Sequence, residues 1–131
     1  MKLHCCGCSK KVSPRLTDGS EIYPARPDLV DLPFWKCDTC GNYVGCHHKT
    51  KDRTRPLGCI PTPKLRKARQ EVHKLIDPYT RENHRLKRKL YKHLSGPHTY
   101  HTAEIRSVED ARAVYEKASL FLTGEIKKPT F

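Results

Sequence analysis

The chain has 131 residues, only 36% of them hydrophobic, and it carries a formal net charge of +12. This length fits one domain or two very small ones, and so small an apolar fraction gives a core that a metal or covalent staple would support. No apolar run is long enough for a signal peptide or for the roughly 20 residues of a membrane helix, so we expect a cytoplasmic protein.

The first half of the chain predicts short strands and turns. Asp18-Gly19 lies between two short segments, residues 12–16 and 21–23, and this pattern is typical of a β-hairpin. Three prolines predict a rigid loop over residues 24–33, because proline cannot donate a hydrogen bond to a strand ladder. Two further strand segments follow, and they are Phe34–Trp35 and Tyr43–Val44.

A break near residues 56–63 separates this half from three predicted helices. The first helix has Thr62 as its N-cap and Pro63 in its first turn, where the missing N–H costs little. Asp77-Pro78 is predicted to end it. Its apolar positions recur at helical spacing, and they are Leu65, Ala68, Val72, Leu75 and Ile76.

The second and third helices have similar start and stop signals. Thr80 is predicted to cap the second helix and Gly96-Pro97 to end it. Ser107 resembles the start of a capping box, with Asp110 in place of Glu or Gln, and Thr123-Gly124 ends the third helix. The inward positions are predicted to be Leu86, Leu90 and Leu94 in the second helix, and Ala111, Val114, Tyr115, Ala118, Phe121 and Leu122 in the third.

Two CxxC motifs carry the strongest chemical signal. Cys5-x2-Cys8 and Cys37-x2-Cys40 are two knuckles, and each lets a tight turn aim two sulfurs at one point. In a reducing compartment, clustered cysteines favour metal binding over disulfides. We therefore predict a Zn²⁺ cofactor held by these four residues.

The remaining cysteines leave alternatives open. Cys6 could replace Cys5, although the resulting CxC spacing is rarer in zinc knuckles. Cys46 and His47 could replace a knuckle cysteine, or form a second site with Cys59 or His48. We expect Cys59 to be a small core residue instead.

These observations predict a small α+β protein in two parts. An N-terminal zinc ribbon, with a short antiparallel β-sheet, covers residues 1–60. A basic region of three α-helices covers residues 61–131, and we expect it to pack on the ribbon as one compact unit, because neither part has much apolar surface of its own.

The positive charge is concentrated in the helical part. Residues 62–94 carry 11 basic and 3 acidic side chains, a net charge of +8 out of the total of +12. Such a concentration favours a polyanionic partner, and we expect DNA or RNA bound through its phosphate backbone. The predicted contacts are Lys64, Arg66, Lys67, Arg69, Arg81, Arg85, Arg88 and Lys92.

Other polar residues have structural and functional interpretations. His73 and Asp77 lie at i, i+4 and could join His47 or His48 in a metal-dependent nuclease site, but their position near a helix end is better explained by capping and dipole effects. Cys46-His47 is a poor nucleophile–base pair, because adjacent strand residues point to opposite faces. Arg26 and Asp28 are expected to tie their loop to the ribbon; alternatively, they line a ligand or partner surface.

Five stretches together resemble a zinc-finger-containing family of unknown function that is found mostly in bacteria, phages and prophages. In chain order they are "CCGC", "EIYPARPDL", "FWKCDTCGNYVGCH", "PLG" and "LRKARQEVHKLIDP". The resemblance is clear over about residues 5–79 and weaker through "HTAEI" and the third helix. It departs from the family pattern at Cys6, at Cys59 and in "DPYT". It implies a zinc-binding domain, often phage-borne, and assigns no catalytic residue.

The sequence thus predicts a zinc-ribbon nucleic-acid-binding protein, phage-derived and working in the host cytoplasm, in contact with transcription or translation machinery. The alternative is a protein-binding adaptor that modulates a host complex. A small metal-dependent nuclease is the third hypothesis.

Overall fold

A computed structural model describes residues 1–95 and 105–131, with Ser95 described by its backbone alone. The chain divides into a ribbon unit, Met1–Pro63, and a helical unit, Lys64–Phe131. The predicted α+β class is confirmed, because short antiparallel strands precede long helices. None of the helices among the described residues is long and apolar enough to cross a membrane.

Five short strands build the ribbon unit. Two of them, β1 (Leu3–Cys5) and β2 (Lys10–Val12), form an antiparallel hairpin. The other three, β3 (Arg15–Asp18), β4 (Pro33–Lys36) and β5 (Tyr43–Gly45), form an antiparallel sheet in the order β3-β4-β5. The strand segments predicted on either side of the second CxxC motif are therefore confirmed.

The hairpin predicted around Asp18-Gly19 is wrong. Asp18 instead caps a single helical turn, α1 (Gly19–Ile22), and its side chain accepts a hydrogen bond from the backbone N–H of Ser20 at 3.0 Å. Strand β3 pairs with β4, so the chain between them is a long excursion rather than a tight turn. Gly19 is needed for space, because a Cβ at this position would lie 1.8 Å from the carbonyl oxygen of Leu29.

The predicted loop before β4 contains a short 3₁₀ helix, Pro27–Leu29. Arg26 and Asp28 form an ion pair with each other at 2.7 Å, so they brace the loop internally rather than tying it to the sheet. That connection is made by Tyr23, which accepts a hydrogen bond from the hydroxyl of Tyr43 at 2.6 Å. The Tyr23 ring also packs edge-on against Phe34, with ring centroids 5.8 Å apart.

The ribbon core is small and contains two of the knuckle cysteines. Cys5, Cys37, Val44 and Ile60 are buried together. Leu3, Cys8, Val12 and Trp35 pack against them and stay partly accessible. A core of this size leaves room for a metal to supply part of the stability.

The first long helix, α2 (Pro63–Thr80), begins at the predicted residue but does not end at Asp77-Pro78. Pro78 lies inside its last turn, and the backbone bond from the Arg81 N–H to the Asp77 carbonyl, at 2.9 Å, continues the helical pattern past it. Thr80 is buried and donates to the carbonyl of Ile76, so it closes α2 instead of capping the next helix. Proline removes only one donor here, and the flanking bonds compensate for that loss.

Helix α3 (His84–Ser95) starts four residues after the predicted cap. The side chain of Asn83 accepts a hydrogen bond from the backbone N–H of Leu86 at 3.0 Å, which is the geometry of an N-cap. Leu90 is fully buried, whereas Leu86 and Leu94 are half-buried. The stop predicted at Gly96-Pro97 lies outside the described residues.

Helix α4 (Val108–Thr123) has the predicted ends. The hydroxyl of Ser107 accepts from the Asp110 N–H at 3.0 Å, and Gly124 closes the helix with a positive φ of 78°. Ala111 and Ala118 are buried as predicted. Phe121 is not inward: it is 37% exposed and stacks on the ring of His93 in α3, with centroids 4.9 Å apart.

Candidate metal centre and basic surfaces

The two CxxC motifs meet in the ribbon unit. The Sγ atoms of Cys5, Cys8, Cys37 and Cys40 all lie within 4.8 Å of one another. Two of these sulfur–sulfur contacts join one motif to the other. Cys5 and Cys40 are 3.4 Å apart and Cys8 and Cys37 are 3.7 Å apart, sulfur to sulfur. Residues separated by about 30 positions in the chain thus converge on one point.

Each knuckle turns through a residue with positive φ directly after its second cysteine. That residue is Gly41 in the second knuckle, at 79°, and Ser9 in the first, at 57°. In the second knuckle the Gly41 N–H donates to the Cys37 carbonyl at 2.7 Å, which closes the turn. The knuckles also approach closely at Gly7, where a Cβ would lie 2.5 Å from the side-chain nitrogen of Asn42.

The sulfur atoms differ in how readily they ionise. Burial raises the pKa of Cys37, but hydrogen bonds from the backbone N–H groups of Cys40 and Thr39 outweigh it and bring the pKa down to about 7. The hydrogen bond with Cys37, together with burial, raises the pKa of Cys8 to about 12. Burial also raises the pKa of Cys5. A bound cation would favour the thiolate form of all four sulfurs and so offset the cost of ionising Cys5 and Cys8.

The cluster fits zinc in ligand type, ligand number and spacing. A tetrahedral Zn²⁺ with four Zn–S bonds of about 2.3 Å holds its sulfurs about 3.8 Å apart. The two sulfur–sulfur distances between the motifs, 3.4 and 3.7 Å, are close to that value. Four thiolates saturate the metal and leave no open position for a substrate, which is the pattern of a structural site.

Among the described residues, the alternative ligands Cys6, Cys46 and His47 do not belong to the four-cysteine cluster. The cluster uses Cys5 rather than Cys6, whose sulfur lies 3.8 Å from that of Cys59. Cys46 is buried, which raises its pKa, and its backbone bridges to Pro56. Within the described part of the chain, Cys46 and His47 join no group of three or more metal ligands.

The pair proposed for a nuclease site forms an exposed contact within helix α2. His73 Nδ1 and the Asp77 carboxylate are 3.7 Å apart. The described residues place no third ligand with them, since the knuckle cluster is the only such group found there. The arrangement is that of an ordinary i, i+4 contact near a helix end.

The basic residues predicted to bind phosphate divide into two sets. Six of them are exposed: Lys64, Lys67 and four residues in or just before α3, Arg81, Arg85, Arg88 and Lys92, which we call the α3 cations. Arg66 is partly exposed. Arg69 is only 8% exposed, and its guanidinium donates to the carbonyl oxygen of Ile105 at 3.0 Å. Arg69 is therefore unable to reach a phosphate, and we remove it from the predicted contacts.

Sequence reasoning overlooked a second basic surface, the loop after β5. It carries four exposed residues that we call the loop cations, Lys49, Lys51, Arg53 and Arg55, with Asp52 among them. The loop is closed by a hydrogen bond from the His47 N–H to the Arg55 carbonyl at 2.8 Å. Trp35 Nε1 also donates to the Thr54 carbonyl at 2.6 Å. The alternation of basic residues over 49–55 was the signal that could have found it.

Charges on the ribbon sheet are compensated locally, unlike these two surfaces. Arg15 donates to the carboxylates of both Glu21 and Asp38 at 2.9 Å, and Lys36 pairs with Glu21 at 2.7 Å. Hydrogen bonds from Arg15 lower the pKa of Glu21 far below its usual range and also lower that of Asp38. Arg15 and Lys36 are the basic residues of strands β3 to β5, so this network leaves little uncompensated positive charge on the sheet.

The ribbon fold and its four-cysteine centre define a small zinc-finger type of protein. The model of the zinc-finger-containing domain family DUF3268 matches residues 1–109, and the chain belongs to this family. The resemblance noted in the sequence is thereby confirmed. Searches of curated proteins and of solved structures returned no significant match.

Proposed function

We propose that the protein is a zinc-ribbon nucleic-acid-binding protein, in which one structural Zn²⁺ held by Cys5, Cys8, Cys37 and Cys40 stabilises the ribbon. The ion neutralises thiolates and supplies no reactive centre. The α3 cations would then contact the phosphate backbone of DNA or RNA. Backbone contacts fix position and carry no base specificity by themselves.

The α3 cations carry this proposal because their charge is not compensated. Helix α3 contains no acidic residue, and no ion pair neutralises these four side chains among the residues that the structure describes. Arg85, Arg88 and Lys92 follow one helical stripe, and Arg81 lies in the turn just before it. Like charges at i, i+4 weaken an isolated helix, so this arrangement favours an anionic partner.

The test compares two variants that each lose four positive charges. One replaces the α3 cations with glutamine, and the other replaces the loop cations with glutamine. Glutamine is a good helix former, so the first variant should keep its helicity, as circular dichroism would check. Affinity for duplex DNA and for structured RNA is measured over a series of salt concentrations.

We expect the wild type to bind with micromolar or tighter affinity at low salt. For duplex DNA, the slope of log K against log salt changes by about 0.9 per phosphate contact, so the α3 variant should flatten it by up to roughly 3.6. The loop variant should bind more weakly but keep most of the slope. Absence of wild-type binding to every nucleic acid tried, or equal slopes for the wild type and the α3 variant, would refute the proposal.

We further propose a phage origin and a place in the bacterial host cytoplasm beside transcription or translation machinery. The resemblance to a family found in phages and prophages supports this setting. Affinity purification from cells, with and without nuclease treatment, tests it. Partners that are lost after nuclease treatment are expected, since the proposed association runs through nucleic acid.

The adaptor hypothesis has one observation in its favour. Two apolar side chains at the C-terminal end of the helical unit are strongly exposed, Leu120 at 47% and Ile126 at 61%. An adaptor would retain one host protein after nuclease treatment and at high salt, and Leu120→Ser with Ile126→Ser would abolish that retention. A partner that meets all three conditions would favour the adaptor over nucleic-acid binding.

A further inference from the structure

Two cysteines outside the metal centre lie next to each other in the ribbon unit. Cys6 and Cys59 are 53 positions apart in the chain, yet their sulfur atoms are only 3.8 Å apart. Neither belongs to the four-cysteine cluster. The fold therefore creates a second pair of sulfur atoms, which the zinc requirement does not explain.

Backbone hydrogen bonds hold this pair in place. The N–H of Cys6 donates to the carbonyl of Ile60 at 2.9 Å, and the N–H of Ile60 donates to the carbonyl of His4 at 2.9 Å. The segment that carries Cys59 thus runs directly alongside the end of β1. The pair is fixed by the same strand contact that builds the ribbon core.

The two sulfurs differ in access. Cys6 is half-buried, whereas Cys59 is 9% exposed. A small oxidant can therefore reach the sulfur of Cys6 more easily than that of Cys59. This is the order that a two-step thiol–disulfide exchange needs, one thiol to react with the oxidant and one to resolve the product.

We propose that Cys6 and Cys59 form a redox-active dithiol site, which low-molecular-weight disulfides such as glutathione disulfide convert to an intramolecular disulfide while zinc stays bound. The Cys6 thiolate attacks one sulfur of glutathione disulfide, forming a mixed disulfide and releasing one glutathione thiolate. The Cys59 thiolate then attacks the Cys6 sulfur and releases the second. Two protein thiols are oxidised, one glutathione disulfide is reduced to two thiols, and the two protons pass to the released glutathione.

The required movement is small. A disulfide has an S–S bond of about 2.05 Å, so the sulfurs must approach by roughly 1.8 Å from their present separation of 3.8 Å. Once zinc is bound, the four knuckle sulfurs are occupied as metal ligands. The oxidant should therefore modify the second pair first.

The test uses the zinc-loaded full chain treated with glutathione disulfide under native conditions. We expect a loss of about two mass units, one hydrogen from each thiol, with no glutathione retained and no zinc released. Peptide mapping should find the bond between Cys6 and Cys59, and dithiothreitol should reverse it. Cys6→Ser and Cys59→Ser should each abolish the loss, and Cys59→Ser should accumulate the mixed disulfide on Cys6.

Cys46→Ser is the matched control, since Cys46 is buried and belongs to neither group, and it should oxidise like the wild type. The zinc content of each variant reports whether the ribbon is intact. Mapping of the first disulfide to knuckle cysteines with release of zinc would overturn the proposal. So would a stable mixed disulfide in the wild type, or no oxidation at all.

Discussion

The ribbon unit and the helical unit bury different kinds of residue. In the ribbon, strands of three or four residues surround a core in which Cys5 and Cys37 lie beside Val44 and Ile60. In the helical unit, long helices bury aliphatic side chains such as Leu90 and Ile76, together with alanines. Cys5 and Cys37 also belong to the four-cysteine cluster, so this part of the core and the candidate metal centre share residues.

The ribbon sheet (β3–β5) and helix α3 also differ in how their positive charges are compensated. On the ribbon sheet, Arg15 and Lys36 are paired with carboxylates. In the helical unit the α3 cations face solvent, while Arg69 is buried on a backbone carbonyl. Because Cys5 and Cys37 belong both to the ribbon core and to the four-cysteine cluster, stability of the ribbon should depend on the metal, whereas stability of the helical unit should depend on packing.

The largest expected effect comes from the removal of one knuckle cysteine. Cys37→Ser should lose zinc and, with it, the fold of the ribbon, because the free energy of binding a structural zinc is on the order of 10 kcal/mol and is coupled to folding. Native mass spectrometry would measure the zinc content, and amide NMR spectra would show loss of dispersion for residues 1–63. The helical signal at 222 nm should largely persist.

Cys46→Ser is the control for this change, because both cysteines are buried in the same unit, at 2% and 4% exposure. It should keep one zinc per chain. A Cys46→Ser variant without zinc would make Cys46 a ligand, and a Cys37→Ser variant that keeps zinc and fold would break the contrast between the units.

The next effect should be confined to the helical unit. Leu90 is fully buried on α3, which contacts α4. Leu90→Ala should lower the free energy of unfolding of this unit by about 2–5 kcal/mol, through lost burial and the cavity that remains. Chemical denaturation followed at 222 nm measures it.

Leu86→Ala, one turn earlier and only half-buried, should cost clearly less. Both variants should keep their zinc. Loss of zinc from Leu90→Ala would show that zinc binding in the ribbon unit depends on the packing of the helical unit, against this expectation.

A smaller effect should come from the buried arginine. Arg69→Met keeps much of the apolar stem but leaves the Ile105 carbonyl without its guanidinium donor, and an unsatisfied buried group costs about 1–3 kcal/mol. Lys67→Met, an exposed change of the same charge on the same helix, should cost little. Urea denaturation of both variants tests this difference. Equal stability would mean that the hydrogen bond contributes nothing net.

The features predicted correctly from the sequence are those that depend on residues close together in the chain. CxxC spacing determines the knuckles by itself, and a 3.6-residue period determines the helices. Arg69 could also have been found, because it lies four residues after Leu65 and three before Val72, on the apolar stripe. The positive charge of Arg69 instead favoured the prediction of an exposed phosphate contact.

The remaining errors arose where distant contacts decide between local alternatives. Asp18-Gly19 fits both a hairpin turn and a helix cap, and the close approach of the Leu29 carbonyl selects the cap. Pro78 usually ends a helix, but buried Thr80 continues α2 beyond it. The proximity of Cys6 and Cys59 depends on a strand contact across more than 50 residues, which no local pattern encodes.

The smallest predicted effect concerns pH, and here the two units should fail at opposite ends of the scale. Acid should unfold the ribbon, because protons compete with zinc for the thiolates. In the helical unit, burial raises the pKa of Tyr91, and the nearby charge of Asp77 raises it further. The unfolded chain therefore releases this proton more readily than the folded chain.

A group whose pKa is higher in the folded state contributes stability below its unfolded-state pKa and loses it as the pH rises. For tyrosine that loss begins near pH 10. The stability of the helical unit should therefore fall less steeply in Tyr91→Phe than in the wild type over this alkaline range, since the other five tyrosines are common to both proteins. Urea denaturation at 222 nm at several alkaline pH values measures the two slopes. Identical slopes would mean that Tyr91 ionises as easily in the folded protein as in the unfolded chain.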